Sequence, residues 1–200
     1  MNADEFIGIH THLSEESLDG EKVLRVTKAD KLMQFDENTI VKLKDCSFHN
    51  GVIKVKMLSR LLPDAPDFAR GFIGIVFRVN EQNSEFESFY IRPTNAETDD
   101  PVRKAHGCQY FSYPGYTFAY FREFGIDRYE APMNYGLNTW VELKAVIREE
   151  TAAFYLGGEE RPVLVVHDLK HGAGACGSVG FFSEIGTEAF FKDLELELYD

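Results

Sequence analysis

The segment EFESFYIRP, residues 85–93, alternates between two kinds of side chain. One parity holds Phe86, Ser88, Tyr90 and Arg92, and the other holds Glu85, Glu87, Phe89 and Ile91. Successive side chains of a β-strand point to opposite faces of the sheet. The pattern therefore predicts a half-buried strand in which Phe89 and Ile91 enter a core, whereas Tyr90 and Arg92 lie on an outer face.

Short runs of this kind recur along the chain, with turn-forming residues between them. They predict about twelve strands, which is typical of a sandwich. The predicted strands are residues 23–27, 39–43, 52–58, 71–79, 86–92, 108–113, 117–123, 140–147, 152–156, 163–167, 178–183 and 188–198. No long apolar repeat with a helical period competes with them. The sequence therefore predicts an all-β protein made of two antiparallel sheets.

Length and composition set limits on the domain organisation. The chain has 200 residues, of which 44% are hydrophobic and 14% aromatic, and this favours a packed globule over a disordered chain. Two small domains would fit the length, but sandwiches of this size commonly fold as one unit. Because the sequence shows no linker, repeat or low-complexity tract, we predict a single domain over residues 1–200.

The formal net charge of -12 argues against polyanionic partners. A surface of this charge repels nucleic acid and anionic membranes, so we expect neither as a partner. The first residues lack the basic and apolar regions of a signal peptide, and no apolar run approaches the roughly 18 residues of a membrane span. These features predict a cytoplasmic protein, although a chain that had lost a signal peptide would share them.

The cysteines indicate neither a disulfide framework nor a zinc site. Cys46, Cys108 and Cys176 are an odd number and have no CxxC or CxxH spacing. We therefore predict reduced thiols with a structural role. Likewise, no glycine-rich phosphate loop precedes a helix, and no Gly-x-Ser-x-Gly motif marks a hydrolase nucleophile.

Four segments, in their order along the chain, resemble a known superfamily. They are FHNGVIKVKM at 48–57, RGFIGIVFR at 70–78, WVELKAVIREETAAFYL at 140–156 and GSVGFFSEIGTEAFFKDLEL at 177–196. Together they resemble the concanavalin A-like lectins and glucanases, which are jelly rolls of two stacked antiparallel sheets. Within that superfamily the chain is most similar to uncharacterised lectin-like domains and to the 3-keto-disaccharide hydrolase family.

The resemblance bears on catalysis and on metal binding. Laminarinase-type glucanases of this fold carry both catalytic carboxylates in a Glu-x-Asp-x-x-Glu strand motif, which this chain lacks. Ordinary retaining glucanase chemistry is therefore not implied. Jelly-roll binding modules often hold a structural Ca²⁺ through a carboxylate of the closing strand, and this implies Asp193 as a candidate calcium ligand. We expect no other cofactor.

The same parity, applied to neighbouring strands, predicts what the outer face carries. Arg70 and Phe72 fall on the outward side of their segment. The predicted ligand-binding residues are Arg78, Ser88, Tyr90, Arg92, Tyr120, Arg122, Glu142 and Lys144. Such a face suits sugars, because an aromatic ring can lie under a pyranose while polar groups bind its hydroxyls. Arg92 and Arg122 would also pair with the carboxylate of an acidic sugar.

We therefore predict a carbohydrate-binding, lectin-like domain, with three alternatives left open. One is an enzyme that cleaves glycosides by hydrolysis, or by elimination after oxidation at C3, with Glu87, Glu123 or Asp127 as acid or base. Another is a protein-interaction sandwich whose sheet face docks a partner. The third is that these side chains form ordinary cross-strand pairs on a solvated face. The oligomeric state is not predicted.

Overall fold

The computed structural model describes residues 1–29 and 37–199, and this part of the chain is a β-sandwich. Its 14 described strands form two sheets of seven, here called sheet I and sheet II, with antiparallel pairing throughout. The order in sheet I is β1 (Phe6–Ile9), β4 (Ile40–Leu43), β13 (Ser178–Ser183), β6 (Ile73–Val79), β7 (Phe86–Ile91), β8 (Cys108–Tyr113) and β9 (Glu130–Ala131). The order in sheet II is β12 (Leu164–Val166), β11 (Thr151–Leu156), β10 (Val141–Arg148), β5 (Gly51–Leu61), β14 (Thr187–Leu198), β3 (Glu21–Lys28) and β2 (Thr11–Leu18).

Short helices lie in the connections on either side of β8. They are α1 (Pro93–Ala96), α2 (Pro101–Ala105) and α3 (Phe118–Glu123), and a turn of 3₁₀ helix covers Ala3–Glu5 near the start of the chain. The first two link β7 to β8, and α3 links β8 to β9. Within residues 1–29 and 37–199, no helix has the length and apolar character needed to cross a membrane.

The core lies between the two sheets and is rich in stacked aromatic rings. Phe89 of sheet I stacks on Phe154 of sheet II with ring centroids 4.3 Å apart, and Phe181 stacks on Phe191 in the same way at 4.2 Å. All four side chains are completely buried. Burying each ring contributes about 1.5–3 kcal/mol, so these pairs hold the sheets face to face.

The predicted jelly-roll sandwich of two antiparallel sheets is confirmed, and the alternation within strands is as expected. In β10 the inward residues Val141, Leu143, Ala145 and Ile147 are all buried. Phe89 and Ile91 are buried too, with Phe89 in the core between the sheets. However, the prediction of a half-buried strand at 85–93 is wrong, because all six residues of β7 are buried and Arg92 is buried after them.

The predicted strand at 117–123 is wrong, because residues Phe118–Glu123 form α3. This segment buries a single large side chain, Phe121, while Phe118 and its other neighbours stay at least partly exposed. In a run of seven residues, one buried ring satisfies the period of a strand and that of a helix equally well.

Three strands were not predicted, namely β1, β2 and β9. None of the residues of β2, THLSEESL, is buried, so its side chains show no apolar alternation. The other two are only four and two residues long. Edge strands of this kind are defined by backbone pairing to a neighbour, which a hydrophobic pattern does not record.

Candidate functional site

A cavity of about 370 Å³ opens on the outer face of sheet I, where the strands meet the three helices. Its described lining is mostly aromatic and cationic. The aromatic members are Phe68, Phe72, Tyr90, Phe111, Phe118 and Phe182. The arginines are Arg70, Arg92, Arg103 and Arg122. Glu37, Asn95, Val102, His106 and Glu184 complete the described lining.

One row of paired residues across sheet I runs beneath the cavity, and two of its members, Phe182 and Tyr90, line it. Phe182 pairs with Gly74, Gly74 with Tyr90, Tyr90 with Gln109, and Gln109 with Glu130. Paired residues of neighbouring strands project from the same face of a sheet. The row therefore has an aromatic end, at Phe182 and Tyr90 in the lining, and a polar end at Gln109 and Glu130, which are buried and not part of the described lining.

The aromatic end is a rigid apolar surface. The Tyr90 ring centroid lies 5.3 Å from that of Phe182, 5.7 Å from that of Phe111 and 6.1 Å from that of Phe72. The rings of Phe111 and Phe182 pack edge to face at 5.3 Å. Tilted and edge-to-face packing of this kind is the favoured arrangement of aromatic side chains. The floor is therefore formed before any ligand arrives.

Glu130 organises the polar end of the cavity. Its Oε1 accepts a hydrogen bond from Arg92 Nη2 at 3.2 Å, and both of its carboxylate oxygens lie 3.3 Å from Arg122 Nη2. Its Oε2 also contacts Nδ1 of His106. The side chains of Arg92 and Glu130 are each only 4% exposed, which makes this a buried ion pair. Glu130 thus supplies the negative charge that two of the four arginines require.

Arg92 is held in place by further hydrogen bonds. Its Nη1 donates to the carbonyl of His106 at 3.0 Å, and its Nη2 donates to the hydroxyl of Tyr90 at 2.7 Å and to Oε1 of Gln109. The Tyr90 hydroxyl in turn donates to the same Gln109 oxygen at 2.6 Å. With its donors occupied in this way, Arg92 positions its neighbours and closes the polar end of the floor.

Phe118 and Arg122 form the wall that α3 contributes. They stand four residues apart on the helix and so share one of its faces. The Arg122 guanidinium carbon lies 5.2 Å from the centre of the Phe118 ring, and that of Arg92 lies 5.7 Å from it. The Phe118 residue is 37% exposed and the Arg122 side chain 44% exposed. Both groups can therefore be reached from solvent at the cavity mouth.

Of the eight predicted ligand-binding residues, three line the cavity: Tyr90, Arg92 and Arg122. Arg70 and Phe72, which parity also placed on the outer face, line it too. The sequence analysis missed Arg103 and His106, which come from α2 and the residue after it. The sequence contains little that would have predicted them, because a loop with one short helix has no hydrophobic periodicity from which side-chain direction can be inferred.

Arg78 does not lie on the outer face as predicted. Its pairing with β13 shifts register between Ser178 and Gly180, and Arg78 has a positive φ of 54°. This bulge breaks the alternation and buries the guanidinium. There it donates to the backbone carbonyls of His49 and Glu149 at 3.0 and 2.7 Å. Arg78 therefore joins loops of the sandwich and does not reach the cavity.

Ser88 and Tyr120 are also kept from the cavity. Ser88 is buried, and its hydroxyl donates to the carbonyl of Ile75 at 2.8 Å. Tyr120 lies on α3 and not on a sheet, with its ring 5.2 Å from Tyr116 and 4.7 Å from Phe124. Both side chains therefore serve the scaffold around the cavity.

Glu142 and Lys144 belong to the opposite face of the molecule. Both are on β10, which lies in sheet II, so the prediction that they share a sheet with Tyr90 is wrong. Lys144 Nζ lies 4.1 Å from the centre of the Tyr155 ring, and Glu142 borders a shallow surface depression with Lys54. Their parity within β10 was predicted correctly, since both are less buried than Val141 and Leu143, but parity does not determine which sheet a strand joins.

The three carboxylates suggested as acid or base do not line the cavity. Glu87 is fully buried, accepting hydrogen bonds from the Tyr110 hydroxyl at 2.5 Å and the His171 amide at 2.9 Å. Glu123 and Asp127 are exposed at the end of α3 and beyond it. Glu87 is thus a core group, and the other two stand outside the enclosed space.

Asp193, the candidate calcium ligand, forms an ion pair with Lys56 at 2.9 Å. It lies at a register shift in β14 with a φ of 55°. Among residues 1–29 and 37–199, no three His, Cys, Asp or Glu side chains cluster in a way that would hold a metal ion. Asp193 as a calcium ligand stays a prediction.

No protein-family model and no curated protein matches the sequence. Among solved structures, the carbohydrate-binding module CBM66 from Bacillus subtilis superposes with a TM-score of 0.59 at 12% identity, covering 96% of this chain and 95% of that one. A Bacillus subtilis protein of unknown function with a galectin-like fold gives 0.55 at 10% identity, with 97% and 89% covered. A GH43 protein from Bacillus licheniformis gives 0.50 at 15% identity, with 88% of this chain and 33% of that chain covered. At these identities the likeness shows the fold, a jelly-roll β-sandwich, and nothing beyond it.

Proposed function

We propose that the protein binds a carbohydrate in the cavity on the outer face of sheet I. The observation that carries the proposal is the combination of aromatic rings with four arginines in one described lining. The rings of Phe72 and Tyr90 offer apolar surface to the C–H faces of a sugar ring. Guanidinium groups present several donors in a fixed plane, which suits neighbouring hydroxyl oxygens.

The size and shape of the cavity agree with a small ligand. Its volume of about 370 Å³ falls in the usual range of roughly 300–1,000 Å³ for sites that bind small molecules. Such sites are lined mainly by apolar groups with a few placed polar ones. The carboxylates predicted as acid or base, Glu87, Glu123 and Asp127, lie outside this lining, so they do not support the enzymatic alternative.

The structural comparisons support sugar binding at the level of the fold. One neighbour is described as a carbohydrate-binding module, and another as having a galectin-like fold. Jelly rolls of this class host more than one function, so the fold raises the expectation of sugar binding without fixing the ligand. The proposal therefore rests on the residues of the cavity.

The test uses two phenylalanines at α3. Phe118 lines the cavity, whereas Phe124 is 59% exposed, follows the helix and is not part of the described lining. The wild-type protein is screened on an array of plant, microbial and animal glycans, and the best-bound glycan is titrated by calorimetry. We expect Phe118→Ala to weaken binding by more than about fivefold, which corresponds to the roughly 1 kcal/mol that marks an energetically important contact.

Phe124→Ala is the matched control, because it removes the same side chain from the same region. It should bind with wild-type affinity. Two results would contradict the proposal: no glycan on the array is bound, or Phe118→Ala and wild type bind the selected glycan equally well. Circular dichroism melts of both variants establish that each remains folded.

A further inference from the structure

The four arginines of the cavity fall into two pairs with different surroundings. Arg92 and Arg122 share the carboxylate of Glu130, so their charge is at least partly neutralised within the protein. Arg70 and Arg103 lie elsewhere in the lining. In the described residues, neither of them forms an ion pair with a carboxylate.

The hydrogen bonds of Arg70 and Arg103 go to neutral groups. Arg70 Nη1 donates to the carbonyls of Asp67 and Ala69 at 2.7 and 3.0 Å. Arg103 donates from Nε to Oδ1 of Asn95 at 3.2 Å, and from Nη2 to Oγ1 of Thr94 at 3.1 Å. These bonds orient the two guanidinium groups but leave their charges uncompensated.

Thr94 contacts both arginines, and the charge of Arg103 acts on Arg70. The backbone amide of Thr94 donates to the carbonyl of Arg70 at 3.3 Å, and the side chain of the same threonine binds Arg103. Burial first, and then the positive charges of Arg103 and Arg92, lower the pKa of the Arg70 guanidinium. Arg70 therefore lies in a field of like charge, in a site partly shielded from water.

The carboxylates of the lining do not remove this excess. Glu184 is buried and forms an ion pair with Lys28 at 2.5 Å. Glu37 is the other carboxylate of the described lining, and it forms no ion pair with Arg70 or Arg103. A chain with a net charge of -12 thus keeps a positive pocket around an aromatic floor.

We propose that the sugar bound here carries an anionic substituent, a carboxylate or a sulfate ester, and that Arg70 and Arg103 bind it. An anion between them would relieve the repulsion, and guanidinium groups pair with such oxyanions through two parallel hydrogen bonds. The sugar ring then lies on Phe72 and Tyr90. This inference rests on the proposed function and names the class of its ligand.

The test compares sugars that differ only in charge. Galactose, galacturonate and galactose 6-sulfate, and the corresponding glucose series, are titrated into the isotopically labelled full chain and followed by amide chemical shifts. We expect one anionic series to bind at least about tenfold tighter than the neutral sugar, since hydrogen bonds to charged groups contribute about 1.5–3 kcal/mol each. The preference should shrink as salt is raised from about 0.05 to about 0.5 M.

Variants assign the preference to the two arginines. Arg103→Ala and Arg70→Ala should each weaken binding of the anionic sugar by about tenfold or more, and by more than they weaken binding of the neutral sugar, so that the ratio of the two affinities falls. Lys104→Ala is the matched control, because it removes one positive charge from the exposed surface of the same helix, outside the described lining. Arg103→Lys keeps the positive charge and controls for the loss of side-chain contacts in Arg103→Ala. Its affinity for the anionic sugar should lie between that of Arg103→Ala and that of wild type.

The outcomes separate the two proposals. If neutral sugars bind in the cavity as tightly as anionic ones, or if both alanine variants keep the wild-type preference, the anionic class is wrong while sugar binding stands. If no sugar of either charge binds, here or on the glycan array, sugar binding itself is overturned. A carboxylate preference over sulfate, or the reverse, decides which oxyanion the pair accepts.

Discussion

At the scale of single residues, Glu130 determines how much of the positive charge of the cavity is compensated. It is the carboxylate shared by Arg92, Arg122 and His106. Taking two charges out of water is costly, and a buried pair offsets that cost only when both members are present. Glu130 is therefore a structural requirement of the polar end.

Replacing this carboxylate should destabilise the fold. We expect Glu130→Gln to lower the free energy of unfolding by about 3 kcal/mol, because it leaves the buried charge of Arg92 without its counter-ion. Urea denaturation followed by fluorescence measures the change. Glu123→Gln is the control, since Glu123 is exposed on α3, and it should stay within about 0.5 kcal/mol of wild type. Equal denaturation midpoints for Glu130→Gln and wild type would show that the ion pair contributes little.

Single residues of the site were predictable where strand alternation is regular. Parity placed Tyr90, Arg92 and Phe72 on the face that holds the cavity. It failed at Arg78, because a bulge adds a residue to one strand and no hydrophobic pattern reveals that insertion. His106 was missed for a different reason, since its position depends on how a loop folds back over the sheet.

At the scale of elements, the site depends on short segments whose type the sequence does not settle. The segment that forms α3 supplies Phe118 and Arg122 to the cavity, although it was predicted to be a strand. The two residues are four apart, so a helix and a strand both place them on one side. Arg122 was therefore correctly predicted to lie at the site, although it was predicted to be on a strand and is on a helix.

A cluster around Asp168 joins the segment after β12 to the residues before β9. Its Oδ2 accepts hydrogen bonds from Lys170 and Tyr129, both at 2.6 Å, and from Arg128 at 2.9 Å. Burial alone would raise the pKa of Asp168, but these three hydrogen bonds outweigh it and lower the pKa to about 2 from an ordinary 3.8. The carboxylate is therefore stabilised in its charged form by the folded protein.

The lowered pKa predicts how stability responds to acid. Between about pH 4 and pH 2 the unfolded chain takes up a proton at Asp168 and the folded protein does not, so this contribution is present above pH 4 and is lost as the pH falls towards 2. We expect Asp168→Asn to show a flatter dependence of Tm on pH in that range. The effect should be modest and sensitive to salt, since the side chain is 46% exposed.

Asp127→Asn serves as the comparison for this acid titration. Asp127 is exposed and comes just before the cluster along the chain. Its variant should follow the wild-type profile, so that the difference between the two variants isolates the Asp168 contacts. If Asp168→Asn shows the same dependence of Tm on pH as wild type between about pH 4 and pH 2, Asp168 is not the source of that dependence.

At the scale of the whole molecule, the fold was more predictable than the site. Alternating runs identify most strands, and their order carries the jelly-roll resemblance. The pairing of strands is set by contacts between distant residues, and this is why β10 was placed beside Tyr90 when it belongs to sheet II. The single-domain organisation remains a prediction.

The three cysteines differ in solvent exposure, so their reactivity measures how well the folded protein excludes solvent from its core. Cys108 is buried and burial raises its thiol pKa to about 12, whereas Cys176 is exposed and Cys46 is intermediate. Because the thiolate is the reactive form, a disulfide reagent near pH 8 should label Cys176 first, Cys46 more slowly and Cys108 only after denaturation. Mass spectrometry of timed samples gives the order. Early labelling of Cys108 in the native protein would mean that sheet I opens there.

The strand order has a consequence for synthesis on the ribosome. In sheet I, β13 fills the position between β4 and β6, and in sheet II, β14 fills the one between β5 and β3. β13 and β14 are each synthesised long after the two strands between which they pair. Until both have left the exit tunnel, the strands on either side of them have backbone N–H and C=O groups without a pairing strand. The two sheets can therefore be completed only after β14 has been synthesised. Before then, a chaperone that binds unfolded chains would protect the unpaired strand edges from aggregation.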